Sequence, residues 1–411
     1  MICRNANYEE AVVCLNKYMS VFNKTEPKNA TLLLETAILF SQISARNEQI
    51  LQVTYSMVEQ AAKNFPENSE IICELGFQCL LQNKFKEASK LFKTSTKIDT
   101  SSVKASVGYI LTELEDNRSS SEIKDHIEHL LDMKGAQNST ITLLLKAKIS
   151  ETEEDAINCL NKASDQHLNT IKHFPYSDVF LRLLNPDLLL QIVNEYLKYI
   201  PFVSDLSFAV RLKPPDSSAV AVENILIILH KACPGMMEPL FLLAKLQYYI
   251  IGDISNAAAN IELILERDNI SSDAYILMAQ IQIRNGMIER AAQSLEEGLS
   301  VDLNLKDNPM YHFINGVVQK KLNNLQDSIK SLTSAITIMN ADESIGHPKN
   351  MNEKAAIFIE LIDAHNQIGQ VDEAMRLLEE ATEELQKTPE ESRIVLLCAE
   401  LAVKHNNIQV R

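Results

Sequence analysis

Apolar residues recur along most of the chain at the three- and four-residue spacing of amphipathic α-helices, and the helical stretches come in pairs. Two of the turns within these pairs carry glycine, Gly252 and Gly286, which lie 34 residues apart. An alanine follows five residues after each of them, Ala257 and Ala291. A period of 34 residues is that of tetratricopeptide repeats, in which each unit is one antiparallel helix pair. The pattern therefore predicts an all-α protein, a tetratricopeptide-repeat α-solenoid built as a superhelix of such pairs.

Small residues recur at two positions when each unit is counted from its first residue. Position 20 holds Ala88, Ala257, Ala291, Ser328 and Ala374. Position 8 holds Gly76, Ala279 and Gly316, but Lys245 and Ile362 in the two remaining units. Because two helices approach closely only where side chains are small, positions 8 and 20 are predicted to face each other. Large residues at position 24, such as Phe92, are predicted to fill the space beside them.

Five units fit this register: residues 69–100, 238–271, 272–308, 309–340 and 355–391. A sixth, residues 35–68, has Gln42 at position 8. Helix pairs at 101–135 and 139–165 keep the helical period but lose the spacing, so we interpret them as divergent units. The predicted organisation is repeats at 1–100, divergent helical repeats with an irregular proline-containing segment at 101–235, and repeats at 236–411. The first and last repeats are expected to be truncated.

A proline-containing stretch at 174–215 departs from the repeat pattern. Asn185-Pro186-Asp187 is typical of a helix N-cap followed by proline in the first turn. It predicts a helix at 187–199, ended by Pro201. The predicted buried stripe of this helix is Leu189, Ile192, Val193 and Tyr196. We also expect a surface loop at 204–218, a helix at 219–233 and an insertion at 342–352.

Both ends of the sequence lack part of a repeat. The residues from Tyr8 onward resemble the second helix of a pair, and residues 392–404 resemble a first helix. Solenoids normally end in capping helices with a polar outer face. We therefore expect the chain to come from the interior of a longer solenoid.

Composition and charge narrow the function. Glycine (10) and proline (12) are scarce among 411 residues, as expected for an all-helical chain. The formal charge of −16 argues against general binding of nucleic acid, whose phosphates it would repel. Seven scattered cysteines without a CxxC pair predict reduced thiols and no disulfide framework. No signal peptide and no uncharged apolar run long enough to span a membrane are present in the sequence.

Candidate chemistry is sparse. The sequence has no phosphate-binding glycine loop, no GxSxG and no HExxH motif. His126 and His129 lie three residues apart on one predicted helix and could share a metal, but a third ligand is lacking, so a solvated helix face is favoured. His365, Cys79 and Cys398 fall at inward positions and are expected to be core residues. We predict no catalytic, cofactor-binding or metal-binding residues.

Two features could bind partners. Residues 372–391 carry eight acidic residues against Arg376 and Lys387, namely Asp372, Glu373, Glu379, Glu380, Glu383, Glu384, Glu390 and Glu391. A solvated outer face is favoured over a docking strip for a basic partner. Some tetratricopeptide domains bind acidic chaperone C-termini through Lys and Asn on successive first helices. Here only isolated candidates occur, Lys245 and Asn315, so a soluble co-chaperone or peptide-binding adaptor is the alternative. The regulatory repeats of a larger enzyme are a further one.

Several passages resemble one protein family. They are GYILTELEDN at 108–117, LNPDLLLQIVNEYLKYIP at 184–201, PLFLLAKLQYYIIGDISNA at 239–257, the helix-turn with Asp273 and Ala279, PMYHFINGVVQKK at 309–321 and IFIELIDAH at 357–365. They occur in family order and span nearly the whole chain, and the 184–201 block is the most specific because it is not a repeat. The sequence is similar to the tetratricopeptide repeat protein 21 family, also called intraflagellar transport protein 139.

The resemblance implies a non-catalytic scaffold subunit of the intraflagellar transport-A complex, which supports retrograde ciliary transport and ciliary entry of membrane-protein cargo. The implied partners are the other subunits of that complex and, indirectly, dynein-driven trains and ciliary membrane cargo. The implied location is the cilium and ciliary base, in the cytoskeleton-associated cytoplasm. No cofactor is implied. No contact motif can be placed on individual residues, so the partner-binding residues are unknown.

Overall fold

A computed structural model describes residues 2–115, 120–133, 135–137, 139–200, 217–267, 271–342, 351–388 and 390–404. Every regular element within these ranges is helical, which confirms the predicted all-α class. The chain forms two compact units. The first contains the described residues up to 200 together with 217–240, and the second contains those from 241 onward.

Most consecutive helices of the first unit pack against each other. After a 3-10 turn at Cys3–Asn5, they are α1 (Tyr8–Thr25), α2 (Ala30–Ile43), α3 (Glu48–Asn64), α4 (Ser69–Leu81), α5 (Phe85–Ile98), α6 (Val103–Glu115), α7 (Ser120–Asp132), α8 (Thr140–Ile149), α9 (Glu153–Ile171), α10 (Asp178–Leu184), α11 (Pro186–Tyr196) and α12 (Ser217–Ala232). Asparagine side chains cap the first turns of α1, α2, α3 and α4 by accepting a backbone N–H.

The helices from Met237 onward form consecutive pairs, and their residues from Phe241 belong to the second unit. They are α13 (Met237–Leu246) with its π-helical continuation Gln247–Ile251, α14 (Ile254–Arg267), α15 (Ser272–Arg284), α16 (Ile288–Val301), a 3-10 turn at Leu303–Asp307, α17 (Pro309–Lys321), α18 (Leu325–Asp342), α19 (Met351–Ile368), α20 (Val371–Glu384) and α21 (Glu391–Lys404). Gly252, Gly286 and Gly369 have positive φ in the turns between paired helices, where residues with a Cβ are strained.

The predicted contact between positions 8 and 20 is confirmed in α17 and α18. A Cβ added to Gly316 would lie 2.6 Å from the Leu332 side chain, and the Ser328 hydroxyl donates to the Gly316 carbonyl at 2.7 Å. The position-20 residues are at most 2% exposed in all five units that fit the register: Ala88, Ala257, Ala291, Ser328 and Ala374. Small side chains at these points therefore allow the helices of a pair to pack closely.

Phe92 of α5 packs against glycines of two successive units. Its ring is fully buried between Gly76 of α4 and Gly108 of α6. A Cβ added to Gly76 would lie only 2.7 Å from the ring, and a Cβ added to Gly108 would lie closer still. Gly108 is position 8 of the unit at 101–135. The prediction that this helix pair loses the repeat spacing is therefore wrong at that position, because glycine here makes room for the ring of the preceding unit.

The irregular segment contains one helix more than predicted. α10 precedes Asn185, which has φ 43 and ends α10 while its side chain accepts a hydrogen bond from Leu188 N of α11. α11 ends at Tyr196, three residues earlier than predicted, and its predicted stripe is fully buried. The N-cap and proline prediction at Asn185-Pro186 is confirmed.

Other predicted boundaries are corrected only slightly. The helix predicted at 219–233 is α12, which starts two residues earlier, so Ser217 and Ser218 are helical and not part of the predicted loop. The rest of the loop at 204–218 lies outside the described residues. Most of the insertion predicted at 342–352 also lies outside the described residues. Of its described residues, Asp342 ends α18, and Met351 and Asn352 begin α19.

His167 gives the first unit a pH-dependent stability. The ring is buried between α9 and α10, and its Nε2 donates to the Leu184 carbonyl at 2.8 Å. Burial lowers the pKa of His167, because it disfavours the charged ring. The unfolded chain therefore binds a proton first as the pH falls, and stability decreases as the pH drops below about 6.5.

We expect His167→Gln to flatten this dependence when urea unfolding of wild type and variant is compared at pH 7 and pH 5. His173→Gln is the matched control, because His173 is exposed on the turn after the same helix. Equal pH dependence in wild type and His167→Gln would contradict the assignment.

Candidate binding surfaces of the helical repeats

The first unit contains a cavity of about 440 Å³. Its walls come from the first helices of successive pairs, α2, α4, α6 and α8, and from α11. First helices of stacked repeats lie side by side, so their exposed faces form one continuous inner wall. The cavity therefore lies on the inner wall of four helix pairs, and α11, which does not belong to the regular repeat, flanks it.

Two ion pairs tie α10 and α11 to the neighbourhood of α2. Arg46 Nε donates to Asp187 Oδ1 at 3.3 Å, and Arg182 Nη1 lies 2.9 Å from Glu35 Oε1. Asp187 has 17% of its side chain exposed, and burial raises its pKa against the opposing effect of Arg46. These contacts join residues 141 and 147 positions apart, and the Arg46–Asp187 pair lies in the cavity lining.

The cavity surface is largely apolar, with a polar edge. Its apolar lining includes Phe77, Leu80, Val107, Leu111 and Leu188. At the edge, Lys104 Nζ pairs with Glu74 Oε2 at 3.0 Å. Behind the lining residue Ser41, the buried Gln78 amide donates to Ser41 Oγ at 3.0 Å and accepts from the Thr54 hydroxyl at 2.9 Å.

Gln42 is the exception among these polar groups. Its Oε1 atom is buried, and no donor among the described residues reaches it. Gln42 breaks the small-residue rule at position 8, and the fully buried Ala37 and the nearly buried Ser41 lie inward on the same helix instead. A glutamine at a position that normally holds a small residue was the one sign of this cavity in the sequence. By itself it did not indicate a pocket.

The second unit has a smaller pocket of about 230 Å³ on the faces of α13, α15 and α17. Lys245, Tyr249, Asp273 and Gln280 are part of its lining. Tyr249 donates to Gln280 Oε1 at 2.6 Å. Burial raises the pKa of the Tyr249 phenol, so that the phenol is a neutral donor.

The π-helical turn Gln247–Ile251 explains why Lys245 breaks the repeat pattern. A π-turn adds one residue to a helix, so residues before it are shifted relative to the repeat. Ala244, one residue earlier, is fully buried, whereas Lys245 lines the pocket. The small position is thus retained, and the sequence register placed it one residue too late.

The candidate chemical residues are held in structural contacts. His126 Nδ1 lies 2.7 Å from the buried Glu113 Oε2, and the described ranges contain no group of three His, Cys, Asp or Glu able to hold a metal. His365 is 8% exposed with Nδ1 2.8 Å from Gln370 Oε1, and Cys79 is fully buried, so both are confirmed as core residues. Cys398 is half-buried against the core.

Half of the acidic residues in the strip at 372–391 form ion pairs within the chain. Arg376 bonds Glu373 at 2.6 Å and Glu380 at 3.2 Å. Lys354 bonds Glu384 at 2.6 Å, and Arg393 bonds Glu390 at 2.8 Å. Asp372, Glu379 and Glu383 are exposed. The strip therefore presents fewer uncompensated charges than its composition indicates.

The two candidates for a carboxylate clamp do not converge. Lys245 lines the smaller pocket, whereas Asn315 Nδ2 donates to Ser331 Oγ at 3.0 Å. Lys320, which precedes Lys321 at the end of α17, is 14% exposed and pairs with Glu360 and Asp363. The described side chains therefore do not form a cationic clamp at Lys245 and Asn315.

Thiol reactivity should follow burial. Burial raises the pKa of Cys3 and Cys73 to about 12 and that of Cys79 and Cys233 to about 11. Because the thiolate is the reactive form, we expect a maleimide at neutral pH to label the exposed Cys14 first and these four only after unfolding. Peptide mapping by mass spectrometry measures the order. Early labelling of Cys73 or Cys79 would contradict the packing described here.

Among the described residues, none of the helices combines the length and the apolar character needed to cross a membrane.

The helix pairs and their inner walls define a helical-repeat scaffold protein of the tetratricopeptide type. The profile of the "Tetratricopeptide repeat protein 21 second ARM domain" matches residues 14–286, and that of the "Tetratricopeptide repeat protein 21 ARM repeat" matches residues 303–410. The chain belongs to the tetratricopeptide repeat protein 21 family, which confirms the resemblance found in the sequence.

Similar proteins extend well beyond the matched region. Human tetratricopeptide repeat protein 21B is 32% identical over 99% of this chain and 32% of its own length. The mouse 21B protein is 30% identical over 98% of this chain and 31% of its own length. The Caenorhabditis elegans homolog is 23% identical over 96% of this chain and 30% of its own. The chain thus spans about a third of the length of these curated relatives.

Among solved structures, a thermophilic TPR protein of Thermus thermophilus aligns with a TM-score of 0.36 at 18% identity. The alignment covers 45% of this chain and 91% of that protein.

Proposed function

We propose that the chain forms part of a non-catalytic scaffold subunit of the intraflagellar transport-A complex. In this role it supports retrograde ciliary transport and the ciliary entry of membrane-protein cargo, at the cilium and ciliary base. The observation that carries the proposal is the match to the tetratricopeptide repeat protein 21 family along almost the whole chain. The partners are the other subunits of that complex and, indirectly, dynein-driven trains with their cargo.

The geometry supports a scaffold over an enzyme. The two pockets lie on the inner walls of helix pairs, the surfaces on which repeat proteins bind other proteins. Two of the candidate residues are held in the core, Cys79 by burial and His365 by a hydrogen bond to a side-chain amide. The buried His167 is likewise hydrogen-bonded to a backbone carbonyl. These groups contribute to folding instead of facing a substrate.

Quantitative mass spectrometry on proteins that co-purify with the tagged full-length protein from ciliated cells tests this function. We expect other intraflagellar transport-A subunits in near-stoichiometric amounts, and cross-links from them to the inner walls. An unrelated tetratricopeptide protein carrying the same tag is the control. Recovery of chaperones alone, without transport subunits, would overturn the proposal in favour of a co-chaperone adaptor.

A further inference from the structure

We propose that the 440 Å³ cavity of the first unit binds a basic peptide segment of a partner protein, with two or three large apolar side chains inserted. The assignment specifies the partner chemistry of a scaffold, and in that sense rests on the proposed function. Four observations carry it: the enclosure of the cavity, its size, an unsatisfied acceptor in its wall and the charge around its edge.

Enclosure gives the cavity a fixed shape. The ion pairs Arg46–Asp187 and Arg182–Glu35 hold α10 and α11 beside α2, and α11 lines the cavity opposite the repeat helices. Leu188 is 8% exposed and Leu111 9% exposed, which places apolar surface in a depression and not on an open face. Buried apolar anchors in such depressions usually carry most of the affinity of a peptide.

The size fits several side chains at once. A cavity of roughly 150 Å³ lined by aliphatic residues holds one benzene molecule. A volume of about 440 Å³ therefore has room for two or three aromatic or branched aliphatic side chains. Leu80, Val107 and Leu111 offer the apolar contact that such side chains need.

The unsatisfied acceptor indicates that the ligand is a hydrogen-bond donor. Gln42 Oε1 is buried in the wall, and no donor in the described part of the chain reaches it. A buried acceptor without a partner costs free energy, so a ligand that supplies an N–H gains more here than at a solvated site. A peptide backbone carries such N–H groups beside its side chains.

Charge at the edge favours a cationic segment. Lys104 is already paired with Glu74, and Arg46 is already paired with Asp187. Glu115 stands exposed at the edge without a hydrogen bond or ion pair to any described residue. The charged lining residues comprise three acids and two bases, and the whole chain carries −16. A Lys or Arg flanking the apolar anchors would therefore be attracted to Glu115.

Selection of peptides by the 411-residue chain tests the inference. A phage-displayed library of random peptides is selected on wild type and counter-selected on Val103→Trp, in which an indole occupies the cavity beside α6. We expect recovered peptides to combine two or three large apolar residues with Lys or Arg. Failure to recover any peptide that distinguishes the two proteins, or recovery of an acidic consensus, would overturn the inference.

The affinity of a recovered peptide is then measured by fluorescence anisotropy for variants of the cavity and of its charged edge, each beside a matched control variant. Val103→Trp should weaken binding at least about tenfold, because it removes the space that the anchors fill. Val220→Trp, at a 43% exposed valine of α12 outside the cavity, should leave it unchanged. Glu115→Lys should weaken binding more at low salt than at high salt, whereas Glu128→Lys, with the same charge change on an exposed site of α7, should not.

Gln42→Leu separates binding from folding. It should weaken peptide binding roughly fivefold by removing one hydrogen bond, while the urea midpoint stays equal or rises because an unsatisfied acceptor is lost. A lower midpoint with unchanged affinity would assign Gln42 a structural role and overturn its part in the site. If transport subunits co-purify as expected but no selective peptide is recovered, the cavity proposal fails and the scaffold function stands.

Discussion

Phe92→Ala is expected to destabilise the first unit by about 3–5 kcal/mol, the usual cost of removing a buried aromatic ring. The ring is fully buried, lies 5.0 Å from the Phe77 ring in an edge-on arrangement, and fills the space left by Gly76 and Gly108. Because those two glycines belong to helices α4 and α6, the substitution should loosen two successive units at once.

Hydrogen-exchange mass spectrometry and urea unfolding measure this effect. We expect faster exchange in α4, α5 and α6 and a lower urea midpoint. Phe174→Ala is the matched control, since Phe174 is 43% exposed, and should change stability by no more than about 0.5 kcal/mol. A loss for Phe92→Ala as small as that of the control would contradict the role assigned to the ring.

A double substitution sharpens the test. Gly76→Ala alone should be destabilising, because its Cβ would stand 2.7 Å from the ring. In the Phe92→Ala background the same methyl group enters the vacated space and should be neutral or stabilising. Strong non-additivity is therefore expected, and additive effects would show that the two residues do not share one site.

Tyr196→Ala is expected to have an effect of similar size, about 3–5 kcal/mol. Tyr196 is the last residue of α11 and is fully buried. Its hydroxyl donates to Asn161 Oδ1 of α9 at 2.7 Å and lies 3.3 Å from Ser164 Oγ. Tyr196 belongs to the irregular 184–201 block, so the effect would show that this block is a packing element that holds α11 against α9.

The hydroxyl contribution can be isolated with Tyr196→Phe. This change keeps the ring and leaves the Asn161 oxygen without its donor, at a cost of about 1–2 kcal/mol. Tyr176→Phe is the control, because Tyr176 is 56% exposed and bonds the Ala232 carbonyl at 3.2 Å where water can replace it. Exchange rates in α9 and α11 report the difference. Equal losses in the two Phe variants would contradict a buried hydrogen bond.

The repeat architecture was predictable because it depends on local spacing. Ala88, Ala291 and Ser328 recur at a fixed position, and each is buried against its partner helix as expected. The capping signal at Asn185-Pro186 also depends on adjacent residues, and it placed the start of α11 within one residue. Sequence periodicity therefore predicted the helix pairs and much of the core.

The candidate cavity was not predictable, because it depends on contacts between distant parts of the chain. Arg46 meets Asp187 only after several helix pairs have folded, and neither residue belongs to a motif. α10 was missed since its seven residues are too few to show a helical period. Gln42 and Lys245 could be seen in the sequence to break the small-residue pattern at position 8. Whether such a residue faces a cavity depends on the register of its helix, which the sequence does not give.

The π-turn at Gln247–Ile251 makes the inner surface tolerant of a one-residue difference in chain length. One residue corresponds to about 100° of rotation around an α-helix, and the wider turn takes up that residue, so Ala244 stays buried. Ala244 lies eight residues before Gly252, whereas Ala279 lies seven before Gly286. Removing one residue from the turn would make the two spacings equal and leave Lys245 in the pocket wall. Related chains could therefore gain or lose a residue here and keep the same inner surface.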